Sequence, residues 1–197
     1  MEILEDLTIT LFVIWCVSEI VIRLISLRNR SKSLSEEADR FSAFIIWLCT
    51  IPPIFFAILI REGLIFVNGF GNLSALFPLL GYLGCAVLAF GISFRVVAVA
   101  TLNRQFTSEV SILDKQELVE KGIYGKIRHP AYLGFLVSLF GMGLISGNWV
   151  SLALLVVLPL TAILYRIHVE ERVLLHHFGT AYQEYERRTK RLFPGIW

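Results

Sequence analysis

The sequence predicts an all-α integral membrane protein of about five transmembrane helices, the last two forming a helical hairpin. Three observations carry this. Hydrophobic residues make up 56% of the 197-residue chain and mean hydropathy is +0.70, far above a soluble domain. Long apolar stretches are separated by loops rich in lysine and arginine. The apolar run 135–163 is long enough to cross a bilayer core and return, provided it turns at Ser146-Gly147-Asn148.

In chain order the spans are 7–27, 41–60, 75–102, 132–145 and 149–167; the third is long enough to tilt and the fourth is short. No basic segment precedes the first span and no small-residue cleavage site follows it, so it reads as a retained span. Pro52-Pro53 should break or kink the second span, because proline lacks the backbone donor and clashes with the preceding turn. In the third, Gly81, Gly84, Ala86, Ala89 and Gly91 suit close helix approach. Glu19, Arg23 and Arg95 lie at membrane depth, where a charge needs a partner, and read as structural ion pairs. Cys16, Cys49 and Cys85 sit inside apolar spans without CxxC spacing, so neither a disulfide framework nor a thiolate metal site is expected.

Outside the spans, residues 106–131 form a polar connector with turn-forming Gly122 and Gly125, ended by Pro130. Residues 111–120 are expected to be partly helical, with Ser111 and Asp114 as capping residues. The tail 168–191 is amphipathic, with Leu174, Leu175, Phe178, Tyr182 and Tyr185 near helical spacing. It should continue the fifth helix or pack on the connector. There is no internal repeat or low-complexity tract, so residues 1–197 read as one domain.

Orientation follows the basic residues. Loop 28–40 carries Arg28, Arg30, Lys32 and Arg40; loop 103–128 carries Arg104, Lys115, Lys121, Lys126 and Arg128; the tail adds Arg172, Arg187, Arg188, Lys190 and Arg191. The opposite side offers Arg61, and the N-terminus is acidic. The expectation is an N-terminus outside and a C-terminus in the cytoplasm, consistent with an odd number of spans. The net charge of +2 is dispersed along these loops, so nucleic-acid binding has no support.

Two polar clusters flank the hairpin and therefore share one membrane face. His129 precedes Pro130, which biases it to extended geometry and displays its imidazole. Tyr124 and Tyr132 offer flat amphipathic surfaces able to stack on a base or a sulfonium. Arg166 and Glu170 are one helical turn apart on one face. Each feature also has a plain reading: interfacial tyrosine and arginine anchor helix ends, and Arg166 with Glu170 could be a surface pair.

Jointly, Leu118-Val119, Gly122-Ile123-Tyr124, Arg128-His129-Pro130, Tyr132 and Gly134, followed by Glu170-Glu171, Phe178-Gly179, Tyr182 and Tyr185, closely resemble the isoprenylcysteine carboxyl methyltransferase family and its phospholipid methyltransferase relatives. The resemblance covers about residues 106–191. It implies an S-adenosylmethionine-dependent methyltransferase that releases S-adenosylhomocysteine, with 1–105 as a three-helix scaffold and 106–197 as the cofactor-binding catalytic region. Carried over by position, Gln116, Glu117, Leu118, Val119, Tyr124, His129, Pro130, Ala131 and Tyr132 would line the cofactor, with a looser match at Glu109. Glu170 would bind the cofactor and Arg166 would face the substrate; these two would be the catalytic pair. The acceptor implied is lipophilic, a small molecule or a lipidated chain in the bilayer, foremost the C-terminal carboxylate of an isoprenylcysteine. A phosphatidylethanolamine amine is the alternative. Only two acidic residues stand at Glu170-Glu171, where eukaryotic members often have a longer run. The chain's compactness points to a prokaryotic cell membrane.

Other classes fit less well. His168, Glu170, Glu171, His176 and His177 cluster in sequence but contain no HExxH, so no metal is expected. A transporter or scaffold would lack the paired inverted repeats common in secondary transporters, and no GxGxxG supports a nicotinamide reductase.

Overall fold

The computed structural model describes residues 2–29, 36–65, 71–73, 76, 78–106 and 117–193. Six helices account for most of them: α1 Glu2–Asn29, α2 Glu36–Arg61, α3 Leu79–Leu102, α4 Pro130–Ile145, α5 Trp149–Phe178 and α6 Thr180–Arg188. Two 3-10 turns, Asn103–Gln105 and Gly122–Gly125, lie between α3 and α4. Among the described residues no strand forms, only two isolated bridges. Four helices, α1, the 41–61 stretch of α2, α3 and α5, are long and apolar enough to cross a membrane, and α4 is a shorter apolar helix. The chain is a multi-pass membrane protein.

The helices pack as a row in the order α1, α3, α4, α5, α2. Its tightest seam is α3 on α4, and glycine makes it possible. A Cβ at Gly91 would lie 2.5 Å from the Ser138 amide nitrogen, and one at Gly141 would lie 2.6 Å from that of Leu88. Gly84 and Gly134 are as closely opposed. Small residues at two-turn spacing on both helices thus let the backbones approach. At the row's ends, α1 and α2 expose Ile9, Val13, Ile20 and Leu24, and Phe44, Leu48, Ile51 and Phe55. These side chains are solvated by lipid.

Pro52 and Pro53 do not end α2, which runs unbroken from Glu36 to Arg61. In hydrocarbon the remaining backbone groups have no alternative partner, so the helix continues past the two missing donors. The third helix starts at Leu79 rather than 75. Of the helix expected over 111–120, residues 111–116 lie outside the described residues, and 117–120 are not helical.

The hairpin turns where expected. Gly147 takes φ +63°, and the Asn148 side chain caps α5 by accepting from the Val150 and Ser151 amides at 2.8 and 3.3 Å. Its two arms are unequal. With 16 residues α4 is about 24 Å long, short of the roughly 30 Å hydrocarbon core, whereas the 30 residues of α5 reach about 45 Å. The end of α5 therefore projects beyond the first turn of α4, leaving a step at which polar side chains can gather. Gly179 at φ +55° stops α5 and turns the chain into α6.

Candidate active site

The tail past α6 returns and pairs with the segment before α4. The Arg128 amide donates to the Lys190 carbonyl at 2.7 Å and the His129 amide to that of Arg191 at 3.0 Å, while Lys190 donates to the Lys126 carbonyl at 3.1 Å. Leu192 is buried beneath this strap. Both expectations for the tail hold: it continues α5 and it packs on the connector.

Glu171 is the hub of the junction. Its carboxylate accepts from Arg128 Nε at 2.9 Å and Arg191 Nε at 2.7 Å, and His129 Nε2 lies 3.2 Å away. A carboxylate only accepts, so Nε2 carries the hydrogen in this contact. The His129 ring stacks on Tyr132 with centroids 5.7 Å apart. The adjacent carboxylate, Glu170, accepts through Oε2 from the Tyr132 hydroxyl at 2.8 Å, and Arg166, one turn earlier on α5, donates through Nε to that same hydroxyl at 3.4 Å. Arg166 is 1% exposed and also donates to the Ser42 hydroxyl of α2. Arg166 and Glu170 are thus joined through Tyr132 and tied to the scaffold through Ser42.

Arg95 of α3 holds the other side of the first turn of α4. It donates to the Ala131 carbonyl at 2.7 Å and to Glu19 of α1 at 2.9 Å, and it lies over the Phe135 ring at 4.9 Å. Glu19 thus pairs across helices with Arg95, and the pair also fixes a residue of the site.

Glu19, Arg95, Arg128, His129, Tyr132, Arg166 and Glu170 wall one cavity, and Glu171, Arg191 and Ser42 are not among its lining residues. Of the residues proposed from sequence, Glu117, Leu118, Val119, Tyr124, His129, Ala131, Tyr132, Arg166 and Glu170 all line it. Gln116 lies outside the described residues. Pro130 is a correction: it is fully buried at the start of α4 and is not among the lining residues. Its fixed φ starts the helix that carries Tyr132. Sequence reasoning missed the contribution of the scaffold, namely Glu19 and Ile22 from α1, Ala43 and Trp47 from α2, and Arg95. The intramembrane charges Glu19 and Arg95 were the signal available; nothing in α2 distinguished Ser42 or Trp47 from ordinary span residues. The face of α4 at Gly141 and Gly143 is closed, since Gly141 packs on Leu88 and Gly143 on Leu152.

At the α6 end the cavity is aromatic, lined by Tyr124, Phe178, Tyr182 and Tyr185. Burial, reinforced by the Glu170 charge at Tyr124 and by Glu171 and Glu170 at Tyr182, pushes these two phenols well above their ordinary range; burial raises Tyr185 as well. All three are therefore hydrogen-bond donors at neutral pH. Among the described residues no group of three potential metal ligands comes together.

The isoprenylcysteine carboxyl methyltransferase family model matches residues 82–176, which hold α3, the connector, α4 and most of α5. A probable protein-S-isoprenylcysteine O-methyltransferase of Oryza sativa subsp. indica is 32% identical over 117 residues, 58% of this chain and 61% of that protein. The protein-S-isoprenylcysteine O-methyltransferase of Saccharomyces cerevisiae is 32% identical over 116 residues, 58% of this chain and 48% of that protein. The chain thus spans about half to three fifths of these relatives. A solved structure of a eukaryotic intramembrane Ras methyltransferase, isoprenylcysteine carboxyl methyltransferase, shares the fold with a TM-score of 0.53 at 22% identity, over 83% of this chain and 55% of that one. Over residues 82–176 the chain is similar in sequence to the isoprenylcysteine carboxyl methyltransferase family, and over most of its length it shares the fold of that solved structure.

Proposed function

We propose that the protein is an S-adenosylmethionine-dependent methyltransferase acting at the membrane on a lipophilic acceptor, foremost the C-terminal carboxylate of an isoprenylcysteine. The observation that carries this is the buried Arg166 cation beside Glu170 on the wall of a cavity that reaches from the polar connector to the apolar spans. The residues present suit the cofactor: an aromatic lobe matches a purine, and the carboxylate of Glu170 matches a sulfonium. Glu117, Leu118, Val119, Tyr124, His129, Ala131, Tyr132 and Glu170 would hold it.

When bound, S-adenosylmethionine supplies a sulfonium-activated methyl group and leaves as S-adenosylhomocysteine. The rest is positioning and electrostatics by the chain. Arg166 orients the acceptor carboxylate, which is ionised at neutral pH because an unperturbed C-terminal carboxyl titrates at about 3.5. No proton need move. Glu170 presents its charge to the cationic side of the site, and Tyr132, bonded to both, sets their separation. Enclosure by α1 and α2 keeps water out, which strengthens attraction between unlike charges. A protonated amine acceptor would need a base. The candidates are Glu170, Glu171 and His129, of which Glu171 is committed to Arg128, Arg191 and His129, and Glu170 to Tyr132.

With the Gly141 and Gly143 face sealed, the lipid tail of the acceptor would enter between the ends of the row, where α1 and α2 both line the cavity. The cofactor would enter from the cytoplasmic connector side. The deciding experiment is transfer of a labelled methyl group by purified protein to an N-acylated S-prenylcysteine, with phosphatidylethanolamine in parallel. Methylation of the prenylcysteine is expected; transfer to the amine alone would refute the carboxylate reading.

A further inference from the structure

Tyr182 has no part in the mechanism above, yet it is placed as though a ligand were to complete it. It lies on the first turn of α6, is 1% exposed and lines the cavity. Its ring packs edge-on against Tyr185, with centroids 6.0 Å apart. Its hydroxyl is buried and has no hydrogen-bond partner among the described residues. The neighbouring phenols differ. Tyr185 donates to the Tyr124 carbonyl at 2.8 Å, and Tyr124 donates to the Ala98 carbonyl at 3.3 Å. Those two are spent on holding the connector and α3 together. A buried hydroxyl left without a partner is costly, and the cost is recovered when a ligand accepts from it. Because the phenol stays neutral, what it offers is a donor.

We propose that the Tyr182 hydroxyl is a cofactor-binding group that donates to the nucleoside of the methyl donor, with Tyr124, Phe178, Tyr182 and Tyr185 forming the lobe that takes the purine and ribose. This rests on the cofactor reading above. The lobe is built by the connector and the α5–α6 end of the chain, and Leu118 and Val119 of the connector line the same cavity. Aromatic walls suit a flat base, whereas the charged groups of the cavity, Glu170, Arg166 and Arg95, lie toward α4 and suit the charged atoms of the reaction. The family model matches residues 82–176 and does not reach Tyr182.

The test uses the full chain in detergent and two probes, S-adenosylhomocysteine and 5′-methylthioadenosine, the second keeping the nucleoside but lacking the amino-acid end. Calorimetric titration of Tyr182→Phe should show both probes bound more weakly by a similar factor, roughly five- to tenfold for one neutral buried hydrogen bond. The unliganded variant should melt no lower than the parent, since no bond within the chain is lost. Tyr185→Phe is the contrast: it removes the bond to the Tyr124 carbonyl and should melt lower. Unchanged affinity for both probes in Tyr182→Phe overturns the proposal. So does a loss confined to S-adenosylhomocysteine, which would move the hydroxyl to the amino-acid end, and so does a fall in the unliganded melting temperature, which would mean a partner within the chain. A parent protein that binds neither probe refutes the cofactor reading itself, a result distinct from all of these.

Discussion

Adjacent carboxylates on α5 should respond in opposite ways to mutation, and Glu171→Ala is the more informative of the two. Glu171 is 5% exposed and is shared by Arg128, Arg191 and His129. Removing one partner of a buried ion pair costs about 3–5 kcal/mol when the other is stranded. Here the stranding is partial. Arg128 retains the Thr189 and Glu186 carbonyls at 2.7 and 3.2 Å, and the Arg191 side chain is 29% exposed and can hydrate. His129, whose side chain is 4% exposed, loses this contact to Glu171. The expected loss is about 2–3 kcal/mol, below the range for a fully stranded buried charge because the stranding is partial. For a chain of this size that lowers the melting temperature by roughly 4–12 °C. The strap should also loosen, so limited trypsin digestion at the exposed Arg187, Arg188 and Lys190 should speed up. Glu171→Gln keeps an acceptor and should lie between variant and parent. An unchanged melting temperature together with unchanged trypsin resistance in Glu171→Ala would refute the hub.

Glu170→Gln, by contrast, should leave stability within about 1 kcal/mol, since Tyr132 keeps an acceptor, while S-adenosylhomocysteine binding measured by calorimetry falls by about 1–3 kcal/mol. Arg166→Ala should lower kcat/KM for the prenylcysteine far more than it affects cofactor affinity, and Ser42→Ala should shift the same parameter less, because Ser42 acts by holding Arg166; equal losses in acceptor and cofactor affinity would count against this division. Gly91→Leu should force α3 from α4 at the Ser138 amide and cost about 1–3 kcal/mol or prevent folding, read by detergent melting; a neutral result would mean the seam is looser than described. In a background without Cys16, Cys49 and Cys85, a cysteine at Asn72 should react with an impermeant thiol reagent from outside intact cells and one at Phe193 should not, the reverse pattern overturning the orientation.

Much of this protein was legible without coordinates because lipid imposes simple rules. A span must be apolar and long enough, so the apolar helices could be placed from composition, and the turn at Gly147-Asn148 from its residues. Close seams need glycine, so the face of α3 that meets α4 was readable as well. The residues bracketing the hairpin carried the resemblance, and most of them do meet on one cavity. What the chain could not disclose in one dimension was anything that depends on which helix lies beside which. The order α1, α3, α4, α5, α2 brings Ser42 to Arg166, though 124 positions separate them, and brings Arg95 to Ala131. No local periodicity encodes such neighbours, since every apolar helix in a bilayer presents much the same surface. Two prolines in α2 marked a break or a kink, and the helix runs through them without a break, because hydrocarbon gives an opened backbone nowhere to go. The return of the tail onto Arg128 and His129 was likewise decided in three dimensions, by cations converging on the single carboxylate of Glu171 and by an extended strap that recovers its backbone hydrogen bonds from the segment before α4.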